Sequence, residues 1–76
     1  MQVEILTPDK TLFTGTAEII TFPGTDGSFQ VKENHAAMIS SLVKGILEVQ
    51  SANETVKFDI NGGLVEVLSN KVVVLV

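Results

Sequence analysis

The apolar residues of this chain recur at every second position almost from end to end, and that period constrains the fold more than any other feature. Alternation sends successive side chains of an extended chain to opposite faces, so one face is buried and the other wetted. Val3 and Ile5 alternate with Gln2 and Glu4, and Val56, Phe58 and Ile60 alternate with Lys57 and Asp59. Ile46-Leu47-Glu48-Val49 continues the pattern, and Val72–Val76 is the longest unbroken apolar run. In Ala17–Phe22 both faces carry apolar residues, Ala17 and Ile19 on one, Ile20 and Phe22 on the other. That is the mark of a strand covered on both sides, or of one that changes sheet. No stretch has a helical period.

Turn chemistry punctuates these runs. Thr7-Pro8-Asp9-Lys10, Pro23-Gly24-Thr25-Asp26-Gly27, Lys32-Glu33-Asn34-His35, Lys44-Gly45, Ser51-Ala52-Asn53-Glu54 and Ser69-Asn70 each read as a turn or loop. Gly62 and Gly63, after Asn61, permit positive φ and read as a turn or a sheet-switching bulge. The spacing predicts an all-β fold, a flattened antiparallel β-sandwich or barrel of nine to ten short strands in two sheets. Val3, Ile5, Phe13, Ile19, Phe29, Val49, Phe58, Val67 and Val73 are its expected core. With 76 residues, positions 1–76 are expected to form a single domain.

Composition narrows the function classes. There is no Cys, which excludes disulfides and cysteine zinc sites. The net charge is −4, with no Arg, so the basic footprint of a nucleic-acid binder is missing. No apolar run approaches the roughly 20 residues of a spanning helix, so no direct membrane insertion is expected.

No catalytic or metal constellation is expected, and no cofactor. His35 is the only histidine, and no Ser stands with it in a nucleophile elbow. Asp26-Gly27 lacks the further oxygen ligands of a calcium loop. Gly24 and Gly27 lack the Lys-Ser/Thr of a phosphate loop. Lys71 opens one alternative, since biotinyl and lipoyl carrier domains are small β-sandwiches that present a modified Lys at a hairpin tip. Those families flank it with Met or acidic residues, whereas Lys71 lies between Asn70 and Val72.

Five segments in order resemble the epsilon subunit of F-type ATP synthases (delta in mitochondrial naming). They are Val3–Pro8 with Leu12–Gly15, Phe22–Phe29, Asn34-His35-Ala36, Ile60–Val67 with its Gly62-Gly63 pair, and Asn70–Leu75. Gln30, Glu33 and Ala37 stand where the family often has Gly, Pro and Pro, which makes the second loop more polar and less rigid. The resemblance covers the N-terminal β-sandwich and implies that the family's C-terminal helical hairpin is absent. It implies a non-catalytic rotor subunit, on the cytoplasmic face of a bacterial inner membrane, that joins the gamma subunit to the ring of c subunits. By that resemblance Thr25, Asp26, Gly27 and Ser28, with Glu33, Asn34 and His35, face the c ring. Thr7, Met38, Ser40 and Leu42 face gamma; for the Ala36–Leu42 segment, small residues and an adaptable Met support the same assignment.

Overall fold

The computed structural model describes residues 1–76 and contains strands and turns only. The strands are β1 (Gln2–Leu6), β2 (Thr11–Thr16), β3 (Ile19–Gly24), β4 (Gly27–Lys32), β5 (Met38–Gln50), β6 (Thr55–Leu68) and β7 (Lys71–Leu75). They form one sheet in the order β2-β1-β7-β6-β5-β3-β4. All neighbours are antiparallel except β1 and β7, which run parallel from Gln2↔Lys71 to Leu6↔Leu75. The all-β sandwich expectation holds, with three corrections: there are seven strands rather than nine or ten, they form one continuous sheet rather than two, and one pair is parallel.

The strand count falls because two expected turns are not turns. Lys44-Gly45 lies inside β5, and Asn61-Gly62-Gly63 lies opposite it inside β6. Pairing continues without a break through Leu42↔Gly63, Val43↔Gly62, Lys44↔Asn61 and Gly45↔Ile60. What changes there is the inward parity. Leu42 and Leu47 are both buried although five residues apart, and so are Ile60 and Val65. A flat strand of period two cannot bury both members of such a pair. The two long strands twist together at this point and carry the sheet from one layer of the sandwich to the other. Gly62 and Gly63 have φ of +125° and +155°, and a Cβ on Gly63 would sit 2.2 Å from the Leu75 carbonyl oxygen. Only glycine fits so close an approach.

One cluster of fifteen apolar residues fills the space between the layers. Val3, Ile5, Val49 and Val67 belong to it as expected, and Phe13, Phe29 and Phe58 pack against it half-buried. Two pairs of rings meet, Phe13 edge-on to Phe58 at 5.8 Å and Phe22 stacked with Phe29 at 5.2 Å. Ile19 and Val73 are only half-buried; Ile20, Val72 and Val74 take the core positions instead. Register decides this, because Val72 and Val74 align with the inward Val3 and Ile5, and Ile20 with Val31 and Val49.

Strand direction defines two ends. At one lie the Thr25-Asp26 tip, the Thr7–Lys10 turn and the Leu42/Gly63 crossing, with Val76 donating its N–H to the Leu6 carbonyl. At the other lie Met1, Ala17, the Glu33–Ala37 loop and the Ser69-Asn70 turn.

Candidate interaction surfaces

The first expected loop is shorter than it reads. β3 runs through Pro23 and Gly24, and Thr25-Asp26 alone cap a two-residue hairpin closed by Gly24 opposite Gly27. Asp26, Gly27 and Ser28 are exposed. Thr25 fastens the tip to β5: its N–H and its hydroxyl both reach the Ser41 carbonyl, at 3.3 and 3.2 Å, and its Oγ1 lies 2.9 Å from the Ser41 Oγ. The Asp26 carboxylate makes no hydrogen bond or ion pair within the chain.

The second loop is built otherwise. Asn34 takes a positive φ of 59°, and the loop's one backbone bond of its own runs from the His35 N–H to the Lys32 carbonyl at 3.2 Å. The Glu33 carboxylate is engaged from both sides while staying exposed. Its Oε1 pairs with the α-ammonium of Met1, which also donates to the Ala17 carbonyl at 3.0 Å, and its Oε2 accepts from Asn70 Nδ2 at 3.2 Å. The hydrogen bond from that ammonium, and then the one from Asn70, holds the Glu33 carboxyl below its ordinary value of 4.5. His35 is exposed, with Nδ1 2.8 Å from the Ala36 carbonyl.

These loops do not come together. They lie at opposite ends of β4, whose six residues span about 20 Å. Thr25, Asp26, Gly27 and Ser28 share their end with Thr7, Gly62 and Gly63; Glu33, Asn34 and His35 share theirs with Met38. The family resemblance assigns both loops to one partner, and the structure sets them at opposite ends of the molecule.

In Met38–Leu42 the alternation resolves clearly. Leu42 is buried, Met38 packs against the core and Ser40 is half-buried beside them, while Ile39 (66% exposed), Ser41 and Val43 face outward. The outward residues belong to a broad apolar face on β5, β6, β7 and β1. Ser41, Leu64, Leu75 and Leu6 form one row across the strands, and Ile39, Glu66, Val73 and Glu4 the next. Leu64, Leu68 and Leu75 on it are each at least 40% exposed. The face runs from a shallow groove at Met38, Ile39 and Leu68 to another at Leu6, Thr7 and Leu75, so Thr7 and Ile39 are its two ends. Exposed apolar side chains gathered on one face, here interrupted by Glu4 and Glu66, make it a candidate surface for a partner.

Lys71, the carrier alternative, is the first residue of β7 rather than a hairpin tip, and it pairs with Glu4 at 3.4 Å. Ser69 and Asn70 form the tip, both with positive φ. No group of three His, Asp or Glu side chains is placed to hold a metal ion, and no helix long and apolar enough to cross a membrane is present.

A curled sheet around one apolar core, with loops fastened at two ends and an apolar outer face, defines a β-sandwich that presents surfaces rather than a deep pocket. Residues 1–76 match the family described as "ATP synthase, Delta/Epsilon chain, beta-sandwich domain", and the chain belongs to that family. An ATP synthase epsilon chain of Pelotomaculum thermopropionicum is 40% identical over 74 residues, 97% of this chain and 55% of that protein. One from Salinibacter ruber is also 40% identical, over 99% of this chain and 56% of its own. The chain therefore spans little more than half the length of these relatives. Among solved structures, a chain of the Euglena gracilis mitochondrial ATP synthase, OSCP/F1/c-ring assembly, superposes with a TM-score of 0.89 at 22% identity, covering 96% of this chain and 48% of that one. A chain of the Tetrahymena thermophila mitochondrial ATP synthase central stalk/c-ring gives 0.83 at 22% identity, covering 97% and 60%. At that identity the likeness shows the fold.

Proposed function

We propose that this chain is a non-catalytic rotor module that links the gamma subunit of a proton- or sodium-driven ATP synthase to its c ring, at the cytoplasmic face of a bacterial inner membrane. The observation that carries the reading is the separation of its two fastened loops to opposite ends of a stiff sandwich, since a linker under torque needs two anchored contact regions. Family membership and the central-stalk and c-ring setting named for the fold neighbours support it. The Thr25–Ser28 tip meets the c ring, where the unpaired Asp26 faces basic ring-loop groups. One exposed pair contributes only about 0–1 kcal/mol, so several contacts share the load. The outer apolar face, reached through Thr7 at one end and the Met38–Leu42 segment at the other, meets gamma. Ile39 and Ser41 make the contact, and Met38, Ser40 and Leu42 set their position from beneath. Glu33, Asn34 and His35 lead directly into that segment and go with it to gamma. An interface able to transmit torque buries over ~1,000 Å² in total.

Single cysteines test this in the assembled enzyme. Cysteine at position 26 or 28 is expected to cross-link to c, and cysteine at 35 or 39 to gamma. Cross-linking of 35 to c alone would return both loops to the ring, and failure of all four in confirmed assemblies would sink the reading.

A further inference from the structure

We infer that Asn70, in the β6–β7 turn, is the positioning residue for the Glu33–His35 loop and thereby sets how well this end of the molecule binds its partner. The inference rests on the reading that this loop faces gamma.

The loop cannot hold its own shape. It contains no Gly or Pro between Glu33 and Ala37, and its one backbone bond is the His35–Lys32 contact. Asn34 sits at a φ of 59°, a conformation that Asn tolerates but that nothing inside this loop fixes. Asn70 supplies that fixing with both ends of its side-chain amide. Its Oδ1 accepts the Asn34 N–H at 2.8 Å, and its Nδ2 donates to Glu33 Oε2 at 3.2 Å. Its own carbonyl accepts the Gln2 N–H at 3.1 Å, which ties the turn to β1. Asn70 has a φ of 58°, where Asn is among the few residues tolerated, so the turn presents the amide without further strain. One side chain thus joins two loop residues to a strand-backed turn. It also holds the Glu33 carboxylate in one orientation at the surface.

Asn70→Gly is the test. Glycine accepts the same φ and keeps the carbonyl bond to Gln2, but removes both amide contacts. Hydrogen exchange at the Asn34 amide is expected to accelerate roughly tenfold, as for the loss of one to two hydrogen bonds. Affinity for the isolated gamma subunit is expected to weaken about fivefold to tenfold. Cross-linking of a cysteine at position 26 to c should stay at the wild-type level, which a general loss of stability would not allow. Asn70→Asp keeps an acceptor for the Asn34 N–H and should retain more protection at that amide than the glycine variant. Unchanged exchange at Asn34 in Asn70→Gly overturns the positioning role, and faster exchange with unchanged gamma affinity overturns its bearing on binding. If the wild-type chain itself fails to bind gamma, the partner reading falls, and the exchange of Asn34 still decides whether Asn70 holds the loop.

Discussion

The β3–β4 tip and the β4–β5 loop are both short, polar and exposed, and each contains an acid, but they are held by different means. The tip is held by a two-residue hairpin closed by glycines and by Thr25, which is pinned to Ser41 of the neighbouring strand β5. The loop is held from outside, by Asn70 and the Met1 ammonium, which reach it from opposite ends of the chain. In consequence Asp26 is left without a partner while Glu33 is spent. Two acids that look alike along the chain thus have opposite availability, and only fastening distinguishes them.

The largest expected effect comes from breaking the tip at its base. A Cβ on Gly24 would lie 2.6 Å from the Gly27 carbonyl oxygen and 2.7 Å from the Phe29 ring. Overpacking of that kind costs on the order of 2–3 kcal/mol. Gly24→Ala should therefore lower the denaturant midpoint without changing the slope. A midpoint within error of wild type would show that the tip does not depend on this close approach.

A smaller effect is expected from Thr25→Val, which keeps the branched shape and removes the hydroxyl bonds to Ser41. The loss should be about 0.5–1 kcal/mol, the usual net worth of a hydrogen bond. Amide exchange at the tip should quicken while that of Asn34 stays unchanged. Equal acceleration at both sites would erase the contrast between the loops.

The smallest effect is present at neutral pH and disappears in acid. Because the Glu33 carboxyl is held below 4.5 in the folded chain, first by the ammonium of Met1, it contributes stability at pH values above the unfolded value. That contribution is lost as pH falls through the lowered folded value. Thermal unfolding from pH 7 to pH 3 should show Glu33→Gln less stable than wild type at the upper end, with the curves converging at the lower end. Parallel curves would mean that Glu33 is not engaged as described.

Much of the fold was legible along the chain. Strands at Val3–Ile5 and Val56–Ile60 follow from local alternation and the one at Val72–Val74 from its β-branched run, and Ser69-Asn70 and Ser51–Glu54 turn as their residue types require. The alternation also limited Met38–Leu42 to two possible faces. What it could not give was which set points inward: a period of two is unchanged when the two faces are exchanged, and only pairing with β6 turns Leu42 toward Val65 and the core. Likewise Asn61-Gly62-Gly63 has the composition of a turn, and it becomes a crossing because β5 stays paired alongside it.

The candidate surfaces divide in the same way. The sequence alone determined that the chain is all-β, that its loops are acidic and polar, and which family its ordered motifs belong to, because these depend on residue type and near neighbours. Tertiary structure decided that the two loops lie at opposite ends and that Glu33 is bound to Asn70, 37 residues away. It also gathered Ile39, Leu64, Leu68 and Leu75 onto one outer face. Those facts rest on register between distant strands and on side-chain bonds across long loops, and no local pattern encodes which distant partner a polar group will meet.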